Sequence, residues 1–358
     1  MIPAAKPSIG REERRAVRRV LKSGMLAQGP EVAAFENEFS KLINSKYCIA
    51  VNSGTSALHL ALLAAEIKTG DEVIVPSFSF AATANVVALT GATPVFADID
   101  ENTFNLDPLS VESLISSKTR AVMPVHLYGQ PAQIDELTKI CAKYGLILLE
   151  DAAQAVGASF DGQPVGTFGI VGSFSFYPTK NMTSGEGGMA ATNDPEIART
   201  IKLLRNQGME KRYANEIVGF NNRMTDIHAA IGRVQLNKLN GWTIARQKNA
   251  AFLNANLRNV ITPLVINKAV HVWHQYTIRI LDQNRDNFSE QLKKRGVGSG
   301  VYYPTPIHKL PSFSQATDLP ATNRVSQQCL SLPVHPSLTQ RDLEKIVQSV
   351  NEIAKAGS

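Results

Sequence analysis

The most constraining feature of the chain is an alternation that runs from about residue 30 to residue 245. Seven apolar, β-rich runs recur: YCIAV (47–51), DEVIVPS (71–77), TPVFADI (93–99), AVMPVHL (121–127), LILLED (146–151), GSFSF (172–176) and GMAAT (188–192). Several are apolar at consecutive positions, the pattern of strands buried on both faces. Between most of them lie helical patterns such as SALHLALLAAEI (56–67) and IDELTKICAKYG (134–145). Strand and helix in turn predict a mainly parallel sheet with crossover helices, an α/β fold. After about Trp242 the texture changes. A long helical pattern over 223–259 leads to VWHQYTIRIL (272–281), which reads as a strand. Helical NFSEQLKKRG (287–296), a Pro-rich stretch around 304–336 and a last helix over 338–357 complete it. These features divide the chain into a large domain, 1–245, and a smaller C-terminal α+β domain, 246–358.

Composition narrows the partners. Of the 358 residues 44% are hydrophobic and 19% charged, which fits a packed core and not disorder. The net charge of +6 invites nucleic acid, but the basic residues are scattered. The densest group, Arg11 to Lys22, alternates with Glu12 and Glu13 and reads as the solvated face of a helix. Nucleic acid is therefore not expected as a partner. Neither end resembles a targeting segment, and no run approaches the roughly 18 apolar residues of a membrane span. Three isolated cysteines, Cys48, Cys141 and Cys329, suggest neither a disulfide frame nor a metal site. A soluble protein of the cytoplasm is expected.

Four segments carry residues able to do chemistry. Asp151 ends the apolar strand LILLE, where ligands gather in open α/β sheets. A buried carboxylate there needs a partner, such as a pyridinium nitrogen, but Asp151 alone reads first as a helix N-cap. Lys180 follows a strand in which Ser173 and Ser175 share one face, and it precedes a turn bearing Gly185, Gly187 and Gly188. It is either an exposed loop lysine or, if desolvated, a Schiff-base nucleophile. Gly54, Thr55 and Ser56 open an apolar helix, as an ordinary cap or as an anion site. Phe78 and Phe80 close another strand, in the core or against a flat ring. Each signal is weak alone. Together they supply phosphate donors, a ring stack, a partner for a ring nitrogen and a lysine, the requirements of a pyridoxal 5′-phosphate site.

The same segments resemble the DegT/StrS family of pyridoxal-phosphate-dependent nucleotide-sugar aminotransferases. The likeness extends from MLAQGPEVAAFE (25–36) to SLPVHPSLTQRDLEKI (331–346) and includes NSGTSALHLAL, LLEDAAQAVGA, GSFSFYPTKNMTSGEGG and GFNNRMTDIHAAIG. It implies fold type I, the aspartate aminotransferase-like fold, with a mostly parallel, mixed seven-stranded sheet. It implies that Lys180 forms the Schiff base and carries protons, and that Asp151 pairs with the pyridine nitrogen. Gln154 approaches the phenolic oxygen, Phe80 stacks on the ring, and Gly54, Thr55, Ser56 and Ser175 cradle the phosphate. Asn221 reaches the phosphate from the second subunit of a homodimer, and Arg223 stands near the carboxylate of the amino donor. Tyr302, Tyr303 and His308 line the sugar pocket. The expected reaction moves an amino group from an amino acid, glutamate first, to a nucleotide-linked keto-sugar. Asn222 and Tyr302 depart from many relatives, which touches substrate detail. A sugar dehydratase or epimerase and a non-catalytic pyridoxal-phosphate-binding regulator are the alternatives, both disfavoured by the intact Lys180, Asp151 and Gln154.

Overall fold

The structure is a computed structural model that describes residues 1–356. All seven expected runs form strands of one sheet: β1 (Tyr47–Val51), β2 (Glu72–Pro76), β3 (Thr93–Ala97), β4 (Thr119–Val122), β5 (Ile147–Asp151), β6 (Val171–Ser175) and β7 (Gly188–Thr192). Their order is β1-β7-β6-β5-β4-β2-β3. Strand β7 runs antiparallel to both neighbours, and the other pairings are parallel.

Helices cover the sheet. They are α1 (Arg11–Ser23), α2 (Pro30–Ile43), α3 (Gly54–Ala64), α4 (Ala82–Leu89), α5 (Pro108–Ser113), α6 (Ile134–Tyr144), α7 (Pro195–Arg205) and α8 (Asp226–Asn256). The period-two pattern of β6 decides its packing. Phe174 and Phe176 point to one face and meet Phe39 and Phe35 of α2, each pair with ring centroids 5.1 Å apart. Ser173 and Ser175 are thereby left for the opposite side, towards α3. Asp226, the first residue of α8, closes the other end of this layer. Its carboxylate accepts the Gly29, Glu31 and Val32 N–H groups and so satisfies the start of α2.

Helix α8 runs unbroken through the expected boundary at 245. Beyond it, β8 (Tyr276–Arg279) pairs antiparallel with β9 (Cys329–Leu332), covered by α9 (Arg285–Lys294), α10 (Pro320–Gln328) and α11 (Gln340–Ala356). Their core joins Leu253 of α8 to Phe288, Leu330, Ile346 and Val350. Ile2 belongs to this core too, and its backbone bonds to Gly296 and Gly298. The chain start is thus packed on the C-terminal elements. Strand β8 is shorter than the expected 272–281: residues 272–275 take an irregular path that brings His274 and Gln275 to the cavity, and the strand ends at Arg279. Gly357, at the end of the expected last helix, lies outside the described residues. No helix among the described residues is long and apolar enough to cross a membrane.

Candidate active site

The carboxyl ends of β2, β5 and β6 and the start of α3 surround a cavity of about 540 Å³, within the range of small-molecule sites. Gly54, Thr55, Phe80, Asp151, Gln154, Ser175, Lys180, Tyr302 and Tyr303 all line it. Residues from Gly54 to Tyr303, far apart in the chain, thus converge on one space.

One end is formed by the start of α3, which leaves N–H donors facing the cavity. Ser53 caps α3, its Oγ accepting the Ser56 N–H at 3.0 Å. The first intrahelical bond runs from Ala57 to Ser53, so the Gly54 and Thr55 N–H groups precede it and remain available. Close packing shapes this end. A Cβ on Gly54 would lie 2.6 Å from Ser175 Cβ, and one on Gly188 would lie 2.3 Å from the Ser53 carbonyl oxygen. Only glycine at both positions lets β6 and β7 press against the helix start.

The deep end holds a carboxylate. Asp151 is 4% exposed. Its Oδ2 accepts the Thr83 hydroxyl at 2.9 Å and its Oδ1 the Ala153 N–H at 3.1 Å. Burial pushes its carboxyl above the usual range, against these bonds and the charge of Lys180. A cationic ring nitrogen is the partner such a group lacks. Beneath it, His126 Nδ1 accepts the Ala132 N–H at 3.0 Å, which assigns the proton to Nε2 for donation to Glu150, also 3.0 Å away. Glu150 takes the Gly166, Phe168 and Gly169 N–H groups as well, fixing the end of β5.

Lys180 follows β6 after a turn in which its N–H bonds the Tyr177 carbonyl. Its surface still reaches the cavity, and desolvation lowers its amine to about 8, with Asp151 opposing. At pH 7 about a tenth of it is therefore uncharged, far more than for an ordinary lysine, as a nucleophile requires. Gln154 sits between two partners: its Oε1 accepts the Tyr128 N–H at 2.8 Å, and its Nε2 donates to Tyr303 Oη at 3.0 Å. Phe80 is 59% exposed on the cavity, whereas Phe78 is fully buried against Phe104. Of the two aromatic candidates, only Phe80 is free to meet a ligand. These donors, this acid and this lysine fit pyridoxal phosphate.

Four expected residues are elsewhere. Ser56 turns its hydroxyl to Asn52 Oδ1 at 2.6 Å, because the helix starts two residues earlier than its position suggests. His308 is buried behind the end of β2, its Nδ1 2.6 Å from Ser77 Oγ, and does not line the cavity. Asn221 pairs with Asn206 and is exposed, and Arg223 donates to Asn206 Oδ1 at 2.8 Å. Neither reaches the cavity of its own chain. Ser173, on the cavity side of β6, keeps a buried Oγ without a partner and lies outside the lining.

Several lining residues carry no advance signal, among them Tyr177, Glu186, His274 and Gln275. Ser53 and Thr83 had one. Ser53 begins an S-G-T-S run before an apolar helix, and Thr83 stands four residues after Ser79, whose hydroxyl it meets at 3.1 Å. Thr83 holds the buried acid by a charge-assisted bond, so Thr83→Val should cut single-turnover rate by about ten- to a hundredfold, given roughly 1.5–3 kcal/mol for such a bond. Substrate KM should change little.

Comparison with known proteins places the chain among aminotransferases. A family model described as the DegT/DnrJ/EryC1/StrS aminotransferase family matches residues 7–351. The chain is 39% identical to dTDP-3-amino-3,4,6-trideoxy-alpha-D-glucose transaminase of Streptomyces venezuelae, over 99% of this chain and 95% of that protein. It is also 39% identical to GDP-perosamine synthase of Caulobacter vibrioides, over 98% of each. Among solved structures, the PLP form of a putative sugar aminotransferase, Spr1654 of Streptococcus pneumoniae, superposes with a TM-score of 0.95 at 26% identity, covering 100% of this chain and 99% of that one.

Proposed function

Because the chain belongs to the DegT/DnrJ/EryC1/StrS aminotransferase family, we propose that it moves an amino group from L-glutamate to a keto-sugar carried on a nucleotide, with pyridoxal 5′-phosphate in the cavity. The observation that carries this reading is the joint placement of Lys180, Asp151 and the open start of α3 around one cavity. Nucleotide-sugar names among the relatives supply the substrate class.

The cofactor, when bound, supplies an electron sink for the bonds broken at the donor. The chain's own residues do the rest. The Gly54 and Thr55 N–H groups with Ser175 hold the phosphate. Asp151 keeps a proton on the ring nitrogen, and Thr83 keeps Asp151 in place. Lys180 Nζ would carry the proton in each half: it would remove one from the donor Cα in the first, and in the second it would deliver one to the sugar carbon that gains nitrogen. Gln154, held by the Tyr128 N–H and Tyr303 Oη, would meet the cofactor's phenolic oxygen, and Tyr302 and Tyr303 would meet the sugar.

A screen of dTDP-, UDP- and GDP-linked keto-sugars with L-glutamate tests the assignment, reading 2-oxoglutarate and product mass. A product in which an amino group replaces the keto oxygen is expected with at least one sugar. Turnover of free keto acids with none of the sugars would overturn the substrate class.

The positions of Asn221 and Arg223 favour a homodimer in which each chain completes its partner's site. Subunit mixing tests this. Lys180→Ala and Arg223→Ala chains are each expected to be inactive. Mixed in equal amounts, they should regain about a quarter of wild-type activity, because half the dimers are mixed and each has one intact site. No recovery after verified exchange would place Arg223 in its own chain's chemistry.

A further inference from the structure

The cavity has a neighbour. A narrow crevice of about 30 Å³ lies between segment 4–8, the middle of α8 and residues 335–336. Thr179, Lys180, His274 and Gln275 line both spaces, so the crevice borders the reactive amine. Its charge is one-sided: Lys6, Lys180 and Arg246 line it with the His274 and His335 rings, which burial keeps uncharged, and no Asp or Glu among the described residues does.

Arg246 is the unsatisfied member. It is 7% exposed. Its Nη1 donates to the Trp273 carbonyl at 3.1 Å, and its Nε has no partner. Burial alone pushes its guanidinium down to about 10, with no carboxylate acting against it. A guanidinium does not readily surrender its proton, and an isolated buried charge is costly. The nearby acids are committed elsewhere. Glu13 touches the crevice wall only through Gln235, and it also binds Lys238 and the Gly10 N–H. Asp342 is held by Thr339. His274 adds no charge of its own: burial and the neighbouring Lys180 and Arg246 push its imidazole well below the usual range, and its Nδ1 donates to Asn181 Oδ1 at 3.2 Å, an orientation set by Asn181 Nδ2 donating to the Val272 carbonyl.

We propose that this crevice is a binding site for a small monovalent anion, held by the Arg246 guanidinium beside Lys180. Its volume admits one or two water-sized groups, enough for a halide or a carboxylate and too little for phosphate. The anion supplies the charge that Arg246 lacks. It has two sources: a halide from solution, or a carboxylate of the amino donor, whose nitrogen must come to Lys180. The second source rests on the aminotransferase reading, and the first does not.

Crystals of the holoenzyme grown in bromide, with and without L-glutamate, test the site by anomalous scattering. A bromide peak beside Arg246 is expected. Its loss on adding glutamate assigns the site to the donor carboxylate, and its persistence assigns it to a resident halide. Thermal unfolding gives a second readout. Chloride should raise Tm by about 2 °C over gluconate at matched ionic strength. Arg246→Met should abolish that difference, and Arg246→Lys should retain part of it. If Arg246→Met does not fold, the bromide map of the wild-type enzyme still decides. No anomalous peak, together with equal Tm in chloride and gluconate, overturns the proposal and leaves turnover with keto-sugars untouched as the test of function.

Discussion

Lys180→Ala is expected to lower the rate of amino transfer by about 10⁴-fold or more, the upper end of what one positioned proton carrier contributes. No other side chain lining the cavity is a lysine, so nothing can substitute for it. Borohydride should fix the cofactor to the wild-type chain and not to the variant. A small primary amine added to the variant should restore part of the rate, since the missing component is a proton carrier. Transamination at an undiminished rate would refute the role. Lys180 also predicts a pH dependence. With its amine near 8, the uncharged fraction in the cofactor-free protein falls about tenfold per pH unit below that value. The rate at which the cofactor-free protein captures an aldehyde should fall by the same factor, then level off above pH 8.

Asp151→Asn carries the second large effect and moves two measurements in opposite directions. The amide keeps the size and the Thr83 contact but cannot hold a cationic ring nitrogen. Turnover should drop by about 10²–10³, the loss typical of removing one aimed electrostatic group. Stability of the cofactor-free protein should rise. The Asp151 pKa is raised in the fold, so its contribution is fully present below the unfolded value of 3.8. It is lost as pH rises through the folded value, and at neutral pH the wild-type protein bears the cost of a buried carboxylate. The neutral amide of the variant avoids it. A cofactor-free variant with lower Tm than wild type at pH 7, or with full turnover, would contradict this account of Asp151.

Much of this arrangement is legible in the residues. The seven strands are, because burial on both faces forces apolar residues onto consecutive positions, and YCIAV and GMAAT match their strands end to end. Lys180, Asp151, Gln154, Gly54, Thr55, Phe80 and Ser175 come from segments at or just after strand ends or at the start of a helix, where ligands gather in such sheets. What fails has local causes. Helix α3 starts at Gly54, two residues before the helical pattern at Ser56, so the cap is Ser53 and Ser56 lies within the helix. His308 is polar and close in the chain to tyrosines that do line the cavity, yet a short 3₁₀ turn (Ile307–Lys309) carries it into the core. His274 and Gln275 sit on an irregular approach to β8, where no periodicity announces which side chain faces in. Arg246 lies on a long helix otherwise read as one amphipathic stretch, and its burial depends on segment 4–8, distant in the chain.

The position of β7 has a consequence for how the molecule is made. Strand β1 is synthesised first but hydrogen-bonds within the sheet to β7 alone. A ribosome must therefore add every residue from Asn52 to Gly188 before β1 begins to gain its neighbour. Gly188, which presses on Ser53 and Gly54, arrives with the same strand. In the order of biosynthesis, then, the α3 end of the cavity is among the last parts of the large sheet to take shape, although its own residues emerge early. Until then the start of α3 lacks its Gly188 neighbour, and the first strand stays an open edge, the kind of surface on which nascent chains associate.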